Sequence, residues 1–333
     1  MSQIRTANLT SEKPLDESVL NSDKPLLLKG LIRTWPLVDS GAKSVSSACE
    51  YIKSFYGNRL VGAFRAEPEY EGRFFYNDDI NGMNFTSEHR RLDDVLEDIE
   101  KCKGNSKPPS FYVGSTSVDT CLPGFREDND LNFGGIRPLV SIWLGNQSRI
   151  AAHYDAPNNI ACNAVGRRRF TLFPPDQIKN LYVGPIDFTP AGQSASMVDF
   201  LKPDFDKFPR FKEALKHAVT IELEPGDAIF IPSMWWHHVE GLEPFNVLVN
   251  YWWRTAPAYA GPGVSALHHA MLTLRDLPDP ERQAWKALFD YYIFDNIENS
   301  TEHIPEHARG ILSRLDDTHA RKLRSQLLAS LNR

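Results

Sequence analysis

Polar and apolar positions change rhythm twice along this chain. After a polar lead-in, Lys24-Pro25-Leu26-Leu27-Leu28-Lys29-Gly30 reads as a short buried strand stopped by glycine, and Trp35-Pro36 ends the segment that follows. From Val45 to Tyr56, the residues Ala48, Tyr51, Ile52 and Phe55 share one face of a 3.6-residue repeat. That spacing predicts a helix capped by Ser44, or by Ser46 if it starts later. Leu60 to Ala66 and Arg73 to Tyr76 predict strands, the second near a sheet edge where charged neighbours are tolerated. Leu92 to Cys102 predicts an amphipathic helix with Leu92, Val95, Leu96 and Ile99 inward and a solvated acidic face.

From Ser110 the pattern shifts to closely spaced strands: Ser110 to Gly114, Leu139 to Leu144, Arg149 to Tyr154, Ile160 to Val165, Arg168 to Phe173, Val219 to Leu223, Asp227 to Ile231 and Asn246 to Trp252. Short strands separated by turns such as Gly145-Asn146, Gly166 and Pro225-Gly226-Asp227 predict a β-barrel or jelly roll. Leu181 to Pro209 interrupts them as a long insertion, and loops of that length in compact domains are commonly functional, here as a frame for the barrel mouth. From Val264 the rhythm is helical again, with Leu267, Met271 and Leu274, then Trp285, Leu288, Phe289 and Tyr292, then Ile311, Leu315, Leu323, Leu327 and Leu331 at helical spacing. These apolar residues need a partner surface, either their own barrel or a second copy in a homodimer. The division expected is an α/β flanking region at 1–108, a β core at 109–256 and a helical segment at 257–333.

Composition narrows the class. With 333 residues, 41% hydrophobic and 24% charged, the chain can bury a substantial core without staples, and no apolar run approaches membrane-spanning length. A net charge of -6 argues against a generic nucleic-acid binder, although Arg167-Arg168-Arg169 forms a local basic patch. Met1 to Lys13 lacks the apolar core of a secretion signal, so the expected location is cytoplasmic. Cys49, Cys102, Cys121 and Cys162 are widely spaced, which fits reduced structural thiols rather than a zinc ribbon or disulfide framework.

The chemistry concentrates in Ala151-Ala152-His153-Tyr154-Asp155 and Trp235-Trp236-His237-His238. Residues two apart on a strand project from one face, so His153 and Asp155 can grip one ion. His237 or His238, each following a strand-like run that ends in Pro232, can supply a third ligand. Two histidines and one carboxylate on one side of a metal form the facial triad with which non-haem Fe(II) oxygenases leave positions open for a keto acid and oxygen. A His-x-Asp triplet alone is weak, since about one is expected by chance in such a chain, and ordinary strand pairing of His153 with Asp155 is its plain alternative.

The surrounding motifs carry more. His153-Tyr154-Asp155, Asn158-Asn159, Gly166-Arg167-Arg168-Arg169, Leu172-Phe173-Pro174-Pro175-Asp176-Gln177, Leu181-Tyr182, Pro225-Gly226-Asp227, Ile231-Pro232, Trp235-Trp236-His237-His238-Val239-Glu240 and Asn250-Tyr251-Trp252 resemble, in order, the JmjC-related, cupin-like hydroxylases. The resemblance is greatest to the asparaginyl hydroxylase that acts on hypoxia-inducible factor and its bacterial relatives. It covers about Lys24 to Trp253 and implies a double-stranded β-helix (cupin/JmjC jelly roll) that holds Fe(II), with 2-oxoglutarate and O2 as co-substrates. By this resemblance His153, Asp155 and His237 are the metal and catalytic residues, Asn159 and Asn250 position the keto acid, and Tyr112 and Arg168 bind its distal carboxylate. Two positions depart from the family: Arg168 stands where the asparaginyl hydroxylase has lysine, which a bidentate guanidinium can replace in a reshaped pocket, and Ile150 stands where it has threonine, which removes a hydroxyl. The implied activity is hydroxylation of a C–H bond on a protein or peptide side chain. A small-molecule substrate and N-methyl demethylation are alternatives within the same chemistry, and a non-catalytic metal-binding cupin or a zinc hydrolase are alternatives outside it.

Overall fold

The computed structural model describes residues 4–190, 192–295 and 300–332. Residues 1–3 of the lead-in, Ala191 of the insertion, and 296–299 and 333 of the helical segment lie outside them. The chain divides into two units, Met1–Arg254 and Thr255–Arg333.

The first unit contains the strands β1 (Arg5–Asn8), β2 (Leu26–Lys29), β3 (Val61–Ala66), β4 (Arg73–Phe74), β5 (Phe85–Arg90), β6 (Ser110–Ser117) and β7 (Leu139–Gly145). They are followed by β8 (Ser148–Tyr154), β9 (Asn158–Val165), β10 (Arg168–Phe173), β11 (Val219–Leu223), β12 (Ala228–Ile231), β13 (Trp236–Gly241) and β14 (Asn246–Trp253). The larger sheet runs β1-β2-β12-β9-β14-β7-β6-β3-β5 and the smaller β11-β10-β13-β8-β4. Within them β12-β9-β14-β7 and β11-β10-β13-β8 are the two walls of a jelly roll, the double-stranded β-helix expected from the sequence, with helices flanking it. Between the walls, Ala161, Phe170, Leu172, Ile229, Ile231, Val239 and Leu248 form one apolar cluster. A larger cluster on the outer face of the larger sheet takes in Val140, Ile142, Val249, Tyr251 and the helical residues Ala48, Ile52, Leu92, Val95, Leu96 and Ile99.

Several boundaries differ from expectation, each for a local reason. Pro36 starts a helix, Pro36–Lys43, because proline at its first position forfeits an amide that needs no partner there. Ser44 closes that helix through its backbone and opens Val45–Lys53 by accepting from the Ser47 amide at 3.0 Å, which makes Ser44, not Ser46, the cap. Only Arg73–Phe74 of the Arg73 to Tyr76 segment is strand, paired parallel to β8 at the edge of the smaller sheet. β5 carries no apolar alternation because its central residues are exposed, and β13 carries none because all six of its residues are buried. Both strands were therefore silent in the hydrophobic pattern.

The insertion between β10 and β11 is pinned to the barrel. Ser196 donates its backbone amide to the Ala152 carbonyl at 2.7 Å, and Phe205 and Phe208 pack with Val198, Phe211 and Trp236. In the second unit, helices cover Gly263–Leu274, Asp279–Phe289 and Asp317–Leu331, while Ile311 lies in a single 3-10 turn and Leu315 in no helix. Leu267, Trp285, Leu288, Tyr292, Ile311, Leu327 and Leu331 remain 43–53% exposed, so these helices form no core of their own with them. Among the described residues no helix is long and apolar enough to cross a membrane.

Candidate active site

Antiparallel pairing of β13 with β8 sets His237 directly opposite His153. Asp155 follows the end of β8, two residues beyond His153, and the ligand atoms of all three lie within 4.8 Å of one another. The imidazole rings are 4.3 Å apart, and His237 Nε2 stands 3.7 Å from Asp155 Oδ2. Each histidine places Nδ1 against a carbonyl two residues back, His153 on Ala151 at 2.9 Å and His237 on Trp235 at 3.0 Å. That arrangement keeps the proton on Nδ1 and leaves Nε2 of both rings as a free electron pair, the state a metal requires. Burial and the nearby His153 push His237 down to about 4, with Asp155 opposing, so its ring is neutral at physiological pH. His238 points to the other face of the strand, where it stacks on Phe200 with centroids 4.6 Å apart. The cluster is thus His153, Asp155 and His237.

The carboxylate of Asp155 is held from behind. Trp252 donates Nε1 to Oδ2 at 3.1 Å and Asn159 donates Nδ2 to the same oxygen at 3.3 Å. Asn250 in turn donates to Asn159 Oδ1 at 2.7 Å, which extends the chain of donors across β14 and β9. The Asp155 backbone is fixed as well, because its carbonyl accepts from Met234, a residue held at φ +67. The structure therefore brings Asn159 and Asn250 to the cavity and gives them partners that the sequence could not show. In the sequence Trp252 stands only as the end of a strand and of the Asn250-Tyr251-Trp252 motif; its indole donor follows from its position in the fold. Of the other tryptophans near the motif, Trp236 and Trp253 are core, and Trp235 donates to the Asp23 carbonyl at 3.2 Å.

The same cavity, of about 460 Å³, is also lined by Tyr112 and Arg168. Gly166, at φ +73, turns β9 into β10 and directs Arg168 inward; a Cβ there would lie 2.5 Å from both Asn246 Oδ1 and the Phe245 carbonyl. Its neighbours face solvent and are paired, Arg167 with Glu243 at 2.7 Å and Arg169 with Glu222 at 2.7 Å. Arg168 is 2% exposed, has no carboxylate partner among the described residues, and leaves Nε without an acceptor. Burial lowers the guanidinium to about 10 and raises the Tyr112 phenol to about 12, the charge of Arg168 opposing the latter. A buried cation without a buried anion is costly unless something negative binds it. A dicarboxylic keto acid satisfies that demand with one end while its other end reaches the His/Asp/His cluster, so the donor set fits both Fe(II) and 2-oxoglutarate. Pro190, Gly192 and Gln193 of the insertion and the rings of Phe64, Phe74 and Phe85 complete the wall, the framing position expected for the insertion.

Comparison with known proteins agrees with this architecture. The family model described as "Cupin-like domain" matches residues 12–259. The chain is 27% identical over 274 residues to HSPB1-associated protein 1 of Mus musculus, which covers 79% of this chain and 55% of that protein. It is 34% identical over 273 residues to Lysine-specific demethylase JMJ31 of Arabidopsis thaliana, covering 74% and 49%, and 32% identical over 215 residues to tRNA wybutosine-synthesizing protein 5 of Gallus gallus, covering 60% and 62%. The chain spans about half the length of the first two of these relatives.

Proposed function

The chain belongs to the cupin-like domain family, and on that premise we propose that it is an Fe(II)- and 2-oxoglutarate-dependent oxygenase that hydroxylates a C–H bond of a protein or peptide side chain. The observation that carries the reading is the pairing, in one cavity, of a His/Asp/His cluster with the buried and unpartnered Arg168. A metal-binding module without turnover has no use for the second feature, and neither does a zinc hydrolase.

When bound, Fe(II) with 2-oxoglutarate and O2 supplies oxidative decarboxylation to succinate and CO2 coupled to C–H hydroxylation. The protein's own residues do the rest. His153, Asp155 and His237 hold the metal on one side, Trp252 and Asn159 fix the carboxylate ligand, and Arg168 and Tyr112 anchor the far end of the keto acid. Aromatic walls and the insertion exclude water from the reacting centre. Among the described residues Asp155 is the only carboxylate lining the cavity, and it already serves the metal site. An entering methylammonium group finds no free counter-charge there, which favours hydroxylation of an uncharged side chain over the demethylation in one relative's name. The resemblance of the motifs to those of the asparaginyl hydroxylase supports a protein substrate on the same side of that choice.

Two further parts of the reading rest on surface and composition. The exposed apolar side chains on the helices after residue 255 support a homodimer, and four free cysteines without a disulfide support a reducing, cytoplasmic setting. The test is oxygen-free titration of the metal-free protein with Fe(II) and 2-oxoglutarate. A visible metal-to-keto-acid charge-transfer band, absent in His237→Ala, is the expected result; metal binding with no band overturns the proposal.

A further inference from the structure

The cavity wall also carries a buried side-chain donor with no partner that has not yet been placed, Trp143 Nε1. Trp143 lies in the middle of β7, opposite Leu248 of β14, and its ring forms part of the cavity wall. Packing fixes that ring: Tyr112 lies 5.9 Å away on one side and Trp252 5.8 Å away, edge-on, on another. Gly114 lies against it so closely that a Cβ would stand 3.2 Å from Cζ3, which leaves the indole no room to turn toward that strand. In this fixed position Nε1 is buried and has no acceptor. Indole nitrogen is a donor only, so the group must meet an incoming acceptor or remain unsatisfied.

Asn250 Oδ1, buried in the same lining, is an acceptor without a donor, but it receives no hydrogen bond from Trp143, and the neighbouring acceptors are engaged. Asp155 Oδ2 receives Trp252 and Asn159, and Asn159 Oδ1 receives Asn250. Arg168 Nε is unsatisfied like Trp143 Nε1, and Ile150, in the same wall, brings no hydroxyl. Buried donors without acceptors around one space call for a ligand rich in lone pairs, which a carboxylate is.

We infer that Trp143 is a co-substrate-binding residue whose indole N–H donates to the distal carboxylate of 2-oxoglutarate beside Arg168 and Tyr112. The inference rests on the oxygenase reading and assigns Trp143 the contact that Ile150 does not make. It sets this chain apart from a site in which a lysine and a threonine share that carboxylate.

The experiment uses the full chain with its tryptophan indoles labelled with ¹⁵N, loaded with Zn(II) as a diamagnetic stand-in and titrated with 2-oxoglutarate. One indole N–H resonance, absent in Trp143→Phe and close in space to the Tyr112 ring, moves downfield at saturation. In parallel, the charge-transfer band of the Fe(II) protein gives a 2-oxoglutarate Kd that rises roughly tenfold or more in Trp143→Phe, the size expected for a hydrogen bond to a charged group, with Fe(II) affinity unchanged. Should Trp143→Phe fail to fold, the through-space contact with Tyr112 still assigns the wild-type resonance. A Trp143 indole signal that stays put at saturating 2-oxoglutarate overturns the inference alone, as does a wild-type Kd in the variant. No band in the wild-type protein overturns the oxygenase reading together with it.

Discussion

Trp252 Nε1 donates to Asp155 Oδ2 at 3.1 Å, and this single contact couples the last strand of the barrel to a metal-ligand candidate 97 residues earlier. Outer partners of this kind orient a ligating carboxylate, and their loss commonly lowers metal affinity by about 10–100-fold. Trp252→Phe keeps the ring and removes the donor. It is expected to weaken Fe(II) or Co(II) binding by that order while melting close to the wild-type temperature. Unchanged metal affinity would show that Asn159 alone suffices to hold Asp155.

Arg168 makes the opposite trade. A guanidinium buried without a carboxylate works against the folded state, so Arg168→Met is expected to raise the stability of the metal-free protein by on the order of 1 kcal/mol. The same change removes the anchor for the keto acid. Wild-type protein should therefore gain thermal stability on addition of Fe(II) and 2-oxoglutarate, and the variant should gain it from the metal only. Differential scanning fluorimetry with the two additions separates the effects. A variant that still responds to 2-oxoglutarate would remove Arg168 from the site.

How far the sequence could lead is visible in these two residues. Arg168 was legible through the resemblance, which sets it where the asparaginyl hydroxylase has a lysine; alternation alone puts it on the face opposite Arg167 and Arg169 without saying which face meets the cavity. His153 and Asp155 were legible through the two-residue period of a strand end. Trp252 was legible as a residue but not as a donor, since nothing local distinguishes an indole that packs from one that reaches another strand. β13 was invisible for a physical reason: a strand buried on both faces has no alternation, so His237 was expected after a strand rather than within one. The exposed apolar residues of the helical segment followed a clear period, but a period specifies a face and not what covers it.

Gly166 is where the turn chemistry is most demanding. At φ +73 a side chain is strained, and a Cβ there would sit 2.5 Å from two oxygens. Gly166→Ala is expected to destabilise the fold by about 2–4 kcal/mol and to weaken 2-oxoglutarate binding by displacing Arg168. Gly192, at φ +84 with open space around it, is the control: alanine there meets the backbone strain without the clash and should cost about 1–2 kcal/mol. Chemical denaturation of both variants checks the contrast.

The insertion that frames the cavity is tied to the smaller sheet by Asp199. Its carboxylate meets Arg149 Nη1 at 2.9 Å and Arg73 Nη1 at 3.5 Å, and accepts the Leu201 amide at 3.0 Å. Burial pushes this carboxyl up, but the two guanidiniums and the amide pull it down by more, so its folded value lies below the unfolded one. A depressed carboxylate stabilises the fold above the unfolded value, roughly pH 4, and that stabilisation is lost as pH falls through the folded value. Asp199→Asn should therefore cost about 1–3 kcal/mol at neutral pH and flatten the acid limb of the stability profile below about pH 4. An acid limb unchanged by the substitution would mean that other carboxylates govern it.

The adjacent histidines provide the sharpest discrimination. His237 and His238 are both buried and differ in chemical surroundings rather than exposure. His237 faces His153 and Asp155 with Nδ1 engaged by a carbonyl, so its Nε2 is available to a metal. His238 has its ring against Phe200 and its Nδ1 3.9 Å from Glu240, on the face away from the cavity. Alanine at 237 is expected to lower Fe(II) affinity by at least about a hundredfold, since it deletes a ligand and leaves the other two without a third. Alanine at 238 should leave Fe(II) affinity within a few fold and instead cost about 1–3 kcal/mol of stability through the lost packing on Phe200. Metal titration and denaturation on both variants give a two-by-two comparison. If metal affinity collapses in His238→Ala while the protein stays folded, the ligand assignment moves one residue along β13, and the register that sets His237 against His153 is wrong with it.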